Sequence, residues 1–464
     1  MAAPKAAVRR RLNGRFLTAL CGLALALFMA REPVVGVTPA LAEDAPASPA
    51  PAPAAPTAPA AKDAATPATP ATPAAKDAAE TAPPANKDAL VVPMLIAREL
   101  RDEPLPISLL DLPPADLGVA GAKLAVADNN TTGRFMNQQF ILEEVDEHDP
   151  AKLVEDIIKK VDAGAHFILA DMAPATLLKL ADAVHGKDAL IINYGAPDDR
   201  LREEDCRPNV LHSAPSRSML ADALAQYLVW KKWNRWLLVL GPRDEDKLFA
   251  DAVRRSAKRF GGKIVEERPF IYETGASRRS DGGYEQIQQQ IPTFTQSAPQ
   301  YDVLIVADEG NIFGDYFPYR TWDARPVAGT AGLVAASWHP AIELWGGTQF
   351  QNRFKRLSDR YLRPEDYNAW LAARMIGEAA SRTKSNNFKD IATYLKSPQF
   401  EVAGFKGVGL SVRDWNGQVR QPIPVTTPKL LVTVSPQPGF LHQTSELDTL
   451  GVDKPETKCK AYTQ

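Results

Sequence analysis

The sequence predicts an α/β protein in which parallel strands form two doubly wound sheets. Three observations predict it. Short apolar runs alternate with amphipathic stretches at helical spacing. The alternation restarts near Trp236 after one full set of units. About 375 residues follow position 88, too many for one small core and suited to two lobes.

The first unit pairs an apolar run, Leu90 to Ala97, with a helix over Gly118 to Asn130 (GVAGAKLAVADNN). Leu117, Gly121, Leu124 and Ala125 share one helical face, flanked by Ala120 and Ala127, and small residues there let a helix lie close to a sheet. Asn129, Asn130 and Gly133 are expected to end this helix, because Asn and Gly tolerate the left-handed conformation. Strands are then expected at 140–145, 166–170, 189–193 and 210–213, with helices at 151–163, 173–184 and 216–230. The second set has strands at 236–240, 263–270, 303–307 and 326–334 and helices at 244–260 and 284–294. Gly261-Gly262 stops the first of these helices. Helices at 351–361, 367–382 and 388–395 follow, and the end is β-like: 408–415, an Asn416-Gly417 turn, Val419, and 430–434. Strands alternating with helices make parallel, doubly wound sheets, which bind ligands beyond the C-terminal strand ends.

The N-terminal residues read as an export address. Arg9, Arg10, Arg11 and Arg15 precede an apolar stretch, Phe16 to Ala30, and Ala40-Leu41-Ala42 gives a small-x-small cleavage pattern, so cleavage is expected after Ala42. The stretch is shorter than a spanning helix needs. Cys21 follows bulky Leu20 inside that stretch, which argues against a lipid anchor. The start fits general or twin-arginine export. Residues 43–88 are mostly Ala, Pro and Thr, with AKDAA at 61–65 and again at 75–79. Such a composition cannot form a core and reads as a disordered spacer. Two cysteines, Cys206 and Cys459, remain after cleavage, and an oxidising compartment makes a disulfide between them the expectation.

Several blocks resemble a known family. GVAGAKLAVADNNTTGRF, SRSMLADALAQYLVWKKWNRWLLVLG and the paired lobes resemble type I periplasmic binding proteins, the branched-chain amino-acid group of ABC-transporter receptors. DLPPADLGVAGAKLAVADNNTTGRF, YDVLIVADEGNIFGDYFPYRTWDARPVAGTAGL, FKGVGLSVRDWNGQVRQP and LDTLG with the late Cys459 resemble, more narrowly, the substrate-binding proteins that accompany PQQ-dependent alcohol dehydrogenase systems. The resemblance implies a periplasmic, non-enzymatic receptor that closes two lobes on a small polar ligand and presents it to a membrane permease. It implies chain crossings near 212–216, 337–340 and 405–407. The first lobe would then hold 89–213 and 338–405, the second 214–337 and 406–436, with 437–464 packing back as a tail. One departure stands out: the short Ser/Gly-rich loop of amino-acid receptors is replaced by Arg98 to Pro114, longer, charged and proline-stiffened, which argues against a branched-chain amino acid as ligand.

The strand ends name the cleft candidates. Asp171-Met172-Ala173 ends one strand and offers helix N-terminal N–H groups to an anion. Asn193-Tyr194-Gly195, Tyr272-Glu273 and Asp308-Glu309-Gly310 follow other strands, and Trp338-His339-Pro340 lies near an expected crossing. The resemblance makes Asp308 or Glu309 the partner of a ligand ammonium. Against these stands a plain role as helix caps or turn residues. The acidic run 143–149 offers Glu143, Glu144 and Asp146 as weak ligands for a hard cation, but it lacks a calcium-loop spacing and alternate strand residues point opposite ways. Trp230, Trp233 and Trp236 are best read as packing. Six scattered histidines offer no zinc pattern, and no cofactor is expected. The chain carries no Gly-x-Ser-x-Gly elbow, P-loop or Gly-x-Gly-x-x-Gly fingerprint. A formal charge of -2 argues against nucleic acid. Two other readings remain open: a non-transport partner or chaperone of a PQQ-dependent dehydrogenase, and a lanthanide- or metal-handling protein.

Overall fold

A computed structural model describes residues 89–102, 111–272 and 287–462. The expected leader, cleavage site and spacer lie outside these residues, as do Glu273 and the middle of the 98–114 segment.

The first lobe opens with β1 (Leu90–Glu99), α1 (Val119–Met136), β2 (Gln138–Glu147), α2 (Pro150–Asp162), β3 (Phe167–Asp171), α3 (Pro174–Ala183), β4 (Leu190–Asn193) and β5 (Val210–His212). The five strands form one parallel sheet in the order β2-β1-β3-β4-β5. β3 and β4 read as unbroken apolar runs because both faces of the sheet are covered by helices.

The second lobe holds α4 (Arg217–Trp230), β6 (Arg235–Leu240), α5 (Asp244–Phe260), β7 (Lys263–Pro269), α6 (Ile287–Thr295), β8 (Val303–Ala307), α7 (Phe317–Arg320), β9 (Val327–Gly329) and β10 (Leu333–Ala335). The chain then returns to the first lobe through α8 (Gly347–Ser358), α9 (Pro364–Thr383), α10 (Phe388–Leu395) and a small antiparallel sheet of β11 (Val402–Ala403), β12 (Gly409–Val412) and β13 (Val419–Arg420). It finishes as β14 (Ile423–Thr427) and β15 (Leu430–Ser435), antiparallel strands at the edge of a seven-stranded sheet ordered β15-β14-β10-β9-β8-β6-β7. The loop after β4 and the loop after β8 meet at Arg217, which pairs with Asp198 and Glu309, and three chain passages connect the lobes.

The structure corrects three expectations. Asn129, Asn130 and Gly133 do not end α1, which continues to Met136 and stops at Asn137 with φ +54°. Both asparagines spend their amides on other elements: Asn129 donates to the Ala373 carbonyl at 2.9 Å and Asn130 to the Phe140 carbonyl at 2.9 Å. The small-residue face of α1 serves helix α9 more than the sheet, since a Cβ at Gly121 would stand 1.9 Å from the Asp366 carbonyl oxygen. The expected strand at 326–334 is two short strands, broken where Gly329 (φ +113°) and Gly332 (φ +76°) take positive φ.

The third passage falls at 421–422, later than the expected 405–407. Val402, Leu410 and Val419 are buried in the first lobe's core with Trp338 and Tyr367, while Ile423 and Val425 enter the second lobe's core. Buried polar groups brace the passages: Gln418 donates to the His212 and Ala214 carbonyls, Arg202 donates to Gln418 Oε1, and Gln421 donates to the Ser213 carbonyl.

The last 26 described residues form a strap across both lobes. Leu450 is buried in the second lobe's core, and Gly451 N donates to Asp222 at 2.8 Å. Farther on, Lys458 N donates to Glu203, and Cys459 is disulfide-bonded to Cys206, 253 residues away, with a Cα–Cα distance of 5.6 Å.

Candidate functional site

The turns after β4 and β8 meet across the lobes at Arg217, and internal groups occupy most of the positions the sequence offered to a ligand. The anion place at the start of α3 is already filled: Ala173 N donates to Glu99 Oε2 at 2.8 Å. Met172 is wholly buried in the first lobe's core, so its side chain belongs to that core. Asp171 forms an ion pair with Arg101 at 3.1 Å. Asn193 is buried and braces its own loop, donating to the Ala196 carbonyl at 2.8 Å while its Oδ1 accepts from Ala196 N at 2.9 Å. Its amide also lies 3.1 Å from His212 Nδ1, where burial and then Arg202 hold the imidazole well below its ordinary pKa and so neutral.

The second lobe repeats the pattern. Asp308 is a cap, accepting with one oxygen from the N–H groups of Ile312, Phe313 and Gly314 at 2.7–2.8 Å. Burial pushes its carboxyl up despite those bonds. Glu309 is taken by Arg217, which donates to both of its oxygens at 2.8 and 2.7 Å. Arg217 also lies 3.1 Å from Asp198 of the first lobe, so one guanidinium joins the lobes. Burial works to lower the Arg217 pKa, yet Glu309 and Asp198 hold it above the ordinary value. Tyr272 packs in an aromatic group with Phe270 and Phe313. Trp338 is buried in the first lobe, stacked on Tyr367 at 5.1 Å, and lines no cleft.

Tyr194 differs from these. It is fully buried with its ring against Gly118, and its hydroxyl has no hydrogen-bond partner among the described residues. Burial, then the charge of Asp171, push its pKa well above the ordinary value. Asn368, whose amide donates to the Tyr194 carbonyl at 3.2 Å, likewise has a buried Oδ1 without a hydrogen bond, and in the second lobe so does Asp308 at its Oδ1. Native structures leave few such atoms, and each is a place for water or a ligand.

The weak metal candidates are dispersed. Glu143 pairs with Lys160, Glu144 with Lys123 at 2.7 Å and Asp146 with Arg98. Among the described residues no group of three or more His, Cys, Asp or Glu could hold a metal.

Sequence reasoning missed Glu99, Arg101, Asp198, Arg217 and Glu365. One signal for Arg217 was present: a cation at a helix N-terminus opposes the helix dipole and requires carboxylates nearby. A groove of about 950 Å³ runs from Arg217 and Asp198 along α5, past Leu248 and Arg255, to Glu456 and Lys458 of the strap.

This architecture is the type I periplasmic-binding-protein fold. A family model described as periplasmic binding protein matches residues 114–277. Among solved structures, a branched-chain amino-acid ABC-transporter periplasmic ligand-binding protein from Burkholderia xenovorans LB400 is similar at 15% identity and TM-score 0.62, covering 80% of this chain and 100% of that one. A leucine-, isoleucine-, valine-, threonine- and alanine-binding protein from Brucella ovis, in a closed conformation, is similar at 16% identity and TM-score 0.60, covering 80% and 98%. An R. palustris ABC-transporter solute-binding protein in complex with benzoate follows at 12% identity and TM-score 0.57, covering 80% and 99%. At these identities the likeness is one of fold. No curated protein matches the sequence.

Proposed function

We propose that the protein is a periplasmic solute receptor of an ABC importer, without enzymatic activity, whose two lobes hold a small polar ligand at their facing strand ends. The observation that carries this is a set of buried polar atoms without a hydrogen bond: Tyr194 Oη and Asn368 Oδ1 in the first lobe and Asp308 Oδ1 after β8 in the second. A ligand that touches both lobes binds the closed arrangement better and so shifts the equilibrium toward it. The ligand is not an ordinary α-amino acid. The helix N–H that would bind its carboxylate is given to Glu99, and the carboxylate that would bind its ammonium is given to Arg217. Thermal unfolding and X-ray scattering with a panel of small solutes test the reading: at least one solute should raise the melting temperature and reduce the radius of gyration. A protein indifferent to every solute in both measurements would sink it.

The link to PQQ-dependent alcohol oxidation rests on the sequence blocks around 111–135, 301–333 and 405–422. One observation favours the second reading, a non-transport partner of a PQQ-dependent dehydrogenase. Arg217 and the strap tie the lobes together, which suits a fixed docking body more than an opening one. Co-purification of the dehydrogenase from the periplasm, with no compaction by any solute, would select it. The metal-handling reading gains no support from carboxylates that each face their own cation.

A further inference from the structure

We infer that the ligand of the cleft is a cation carrying several N–H donors, such as an aliphatic amine or a guanidinium, and lacking a carboxylate. The inference rests on the receptor reading and names the ligand class for that site.

The charges at the facing strand ends support it. Each arginine there already has a carboxylate: Arg98 has Asp146, Arg101 has Asp171, Arg360 has Asp366 and Asp116, Arg363 has Asp111, and Arg217 has both Glu309 and Asp198. Glu99 and Asp308 are taken by backbone N–H groups, and two further carboxylates have no such partner from another residue. Glu365, half-buried in the first turn of α9, and Asp315, on the turn after β8, make no ion pair and accept no side-chain hydrogen bond among the described residues. Glu365 lies in the fields of Asp366 and Asp171, with Arg363 the weaker opposing charge, and burial followed by those carboxylates pushes its pKa up. Asp315 is exposed, yet the protein massed around it and then Asp111 of the facing lobe push its carboxyl up as well. Like charges brought together in a partly desolvated gap raise the free energy of the empty state, and a cation relieves it.

The second, independent observation is the hydroxyl of Tyr194. It is fully buried and unpartnered, and the charge that acts on it most strongly is that of Asp171. Asn368 has its amide nitrogen on the Tyr194 carbonyl at 3.2 Å, which leaves its buried Oδ1 without a donor. Both oxygens can accept from an N–H group. Gly195 lets the Asp171 carboxylate pack against this turn, since a Cβ there would come within 2.1 Å of Asp171 Oδ1.

The test titrates the purified exported protein by calorimetry and follows its melting and scattering with four probes: putrescine, agmatine, leucine and benzoate. The inference expects putrescine or agmatine to bind, to raise the melting temperature and to compact the protein. Glu365→Gln should weaken that binding at least tenfold, and Tyr194→Phe should weaken it several-fold while circular dichroism remains that of the parent. Binding of leucine or benzoate with no effect of either cation overturns the inference and leaves the receptor reading standing. Cation binding unaltered by both substitutions overturns the assignment to this face. Failure of all four probes overturns the inference, and the receptor reading falls with it only if the wider solute panel also fails.

Discussion

The strap and the cleft are built from the same materials, arginines facing carboxylates, and they are completed to different degrees. Where the strap docks, Arg413 and Asp448 are each 1% exposed and every contact is closed: Arg413 donates to Asp448 and to the carbonyls of Leu447 and Leu450, and Asp448 also accepts from Arg420. Asp222, wholly buried, accepts from Ser256, Arg255, Arg259 and Gly451 N. In the cleft, Tyr194 leaves an oxygen without a hydrogen bond, and Glu365 and Asp315 make no ion pair among the described residues. Folding stability accounts for the first arrangement. The second sacrifices some stability, and incompletely satisfied polar groups gather where a ligand completes them.

That contrast can be broken in the strap first, where the largest effects are expected. Asp448→Ala leaves two arginines facing an uncompensated, buried site and should cost about 3–5 kcal/mol in denaturant unfolding; a loss below about 1 kcal/mol would show the strap to be as loosely finished as the cleft. Cys206→Ser removes the tether between lobe and strap and should cost roughly 2–4 kcal/mol. Hydrogen exchange should then rise over 450–462 before it rises elsewhere, and a uniform rise would mean the strap is not a separate unit. Gly121→Ala forces α1 off the Asp366 carbonyl and should cost about 1–3 kcal/mol by overpacking, read as a lower melting temperature. Tyr194→Phe is the smallest and sharpens the comparison. A hydroxyl with no partner contributes nothing to the empty fold, so stability should change by less than about 0.5 kcal/mol or rise slightly.

The sign of the pH dependence separates the two regions further. The folded-state pKa values of Glu365 and Asp315 are raised, so in the window between the ordinary carboxylate value and the raised one the folded protein holds more protons than the unfolded chain. These two groups therefore stabilise the empty protein at low pH and lose that contribution as pH rises through their folded pKa values. Binding of a cation should run the other way, weakening as pH falls through the same window. Calorimetry across that window checks it, and a pH-independent affinity would detach both carboxylates from the site.

Much of the scaffold was legible from the residues alone. α5, β8 and α10 have the bounds that periodicity predicts, and Gly261 stops α5 with φ +81°. The misreadings share a cause. Asn129 and Asn130 carry a strong local signal for a helix end, and α1 overrides it because α9 and β2 supply acceptors for their amides. Trp338 sits where a crossing was expected, but its ring has Tyr367 and Phe350 to pack against and so belongs to the core. At the candidate site, Asp171, Asp308 and Glu309 were recognised as strand-end carboxylates, while what they hold was invisible.

The sequence by itself determined the two-lobed α/β scaffold, the order of its units and the pairing of the two cysteines, because helix and strand are set by neighbours a few residues apart and two candidate cysteines leave one pairing. Only the tertiary structure decided which charges are spent and which are spare. Arg217 meets Glu309 from 92 residues away, Ala173 meets Glu99 from 74, and Gly118 meets Asp366 from 248. Electrostatic partners act through space over a few ångströms, and separation along the chain does not show which carboxylates the fold brings to an arginine and which it leaves alone.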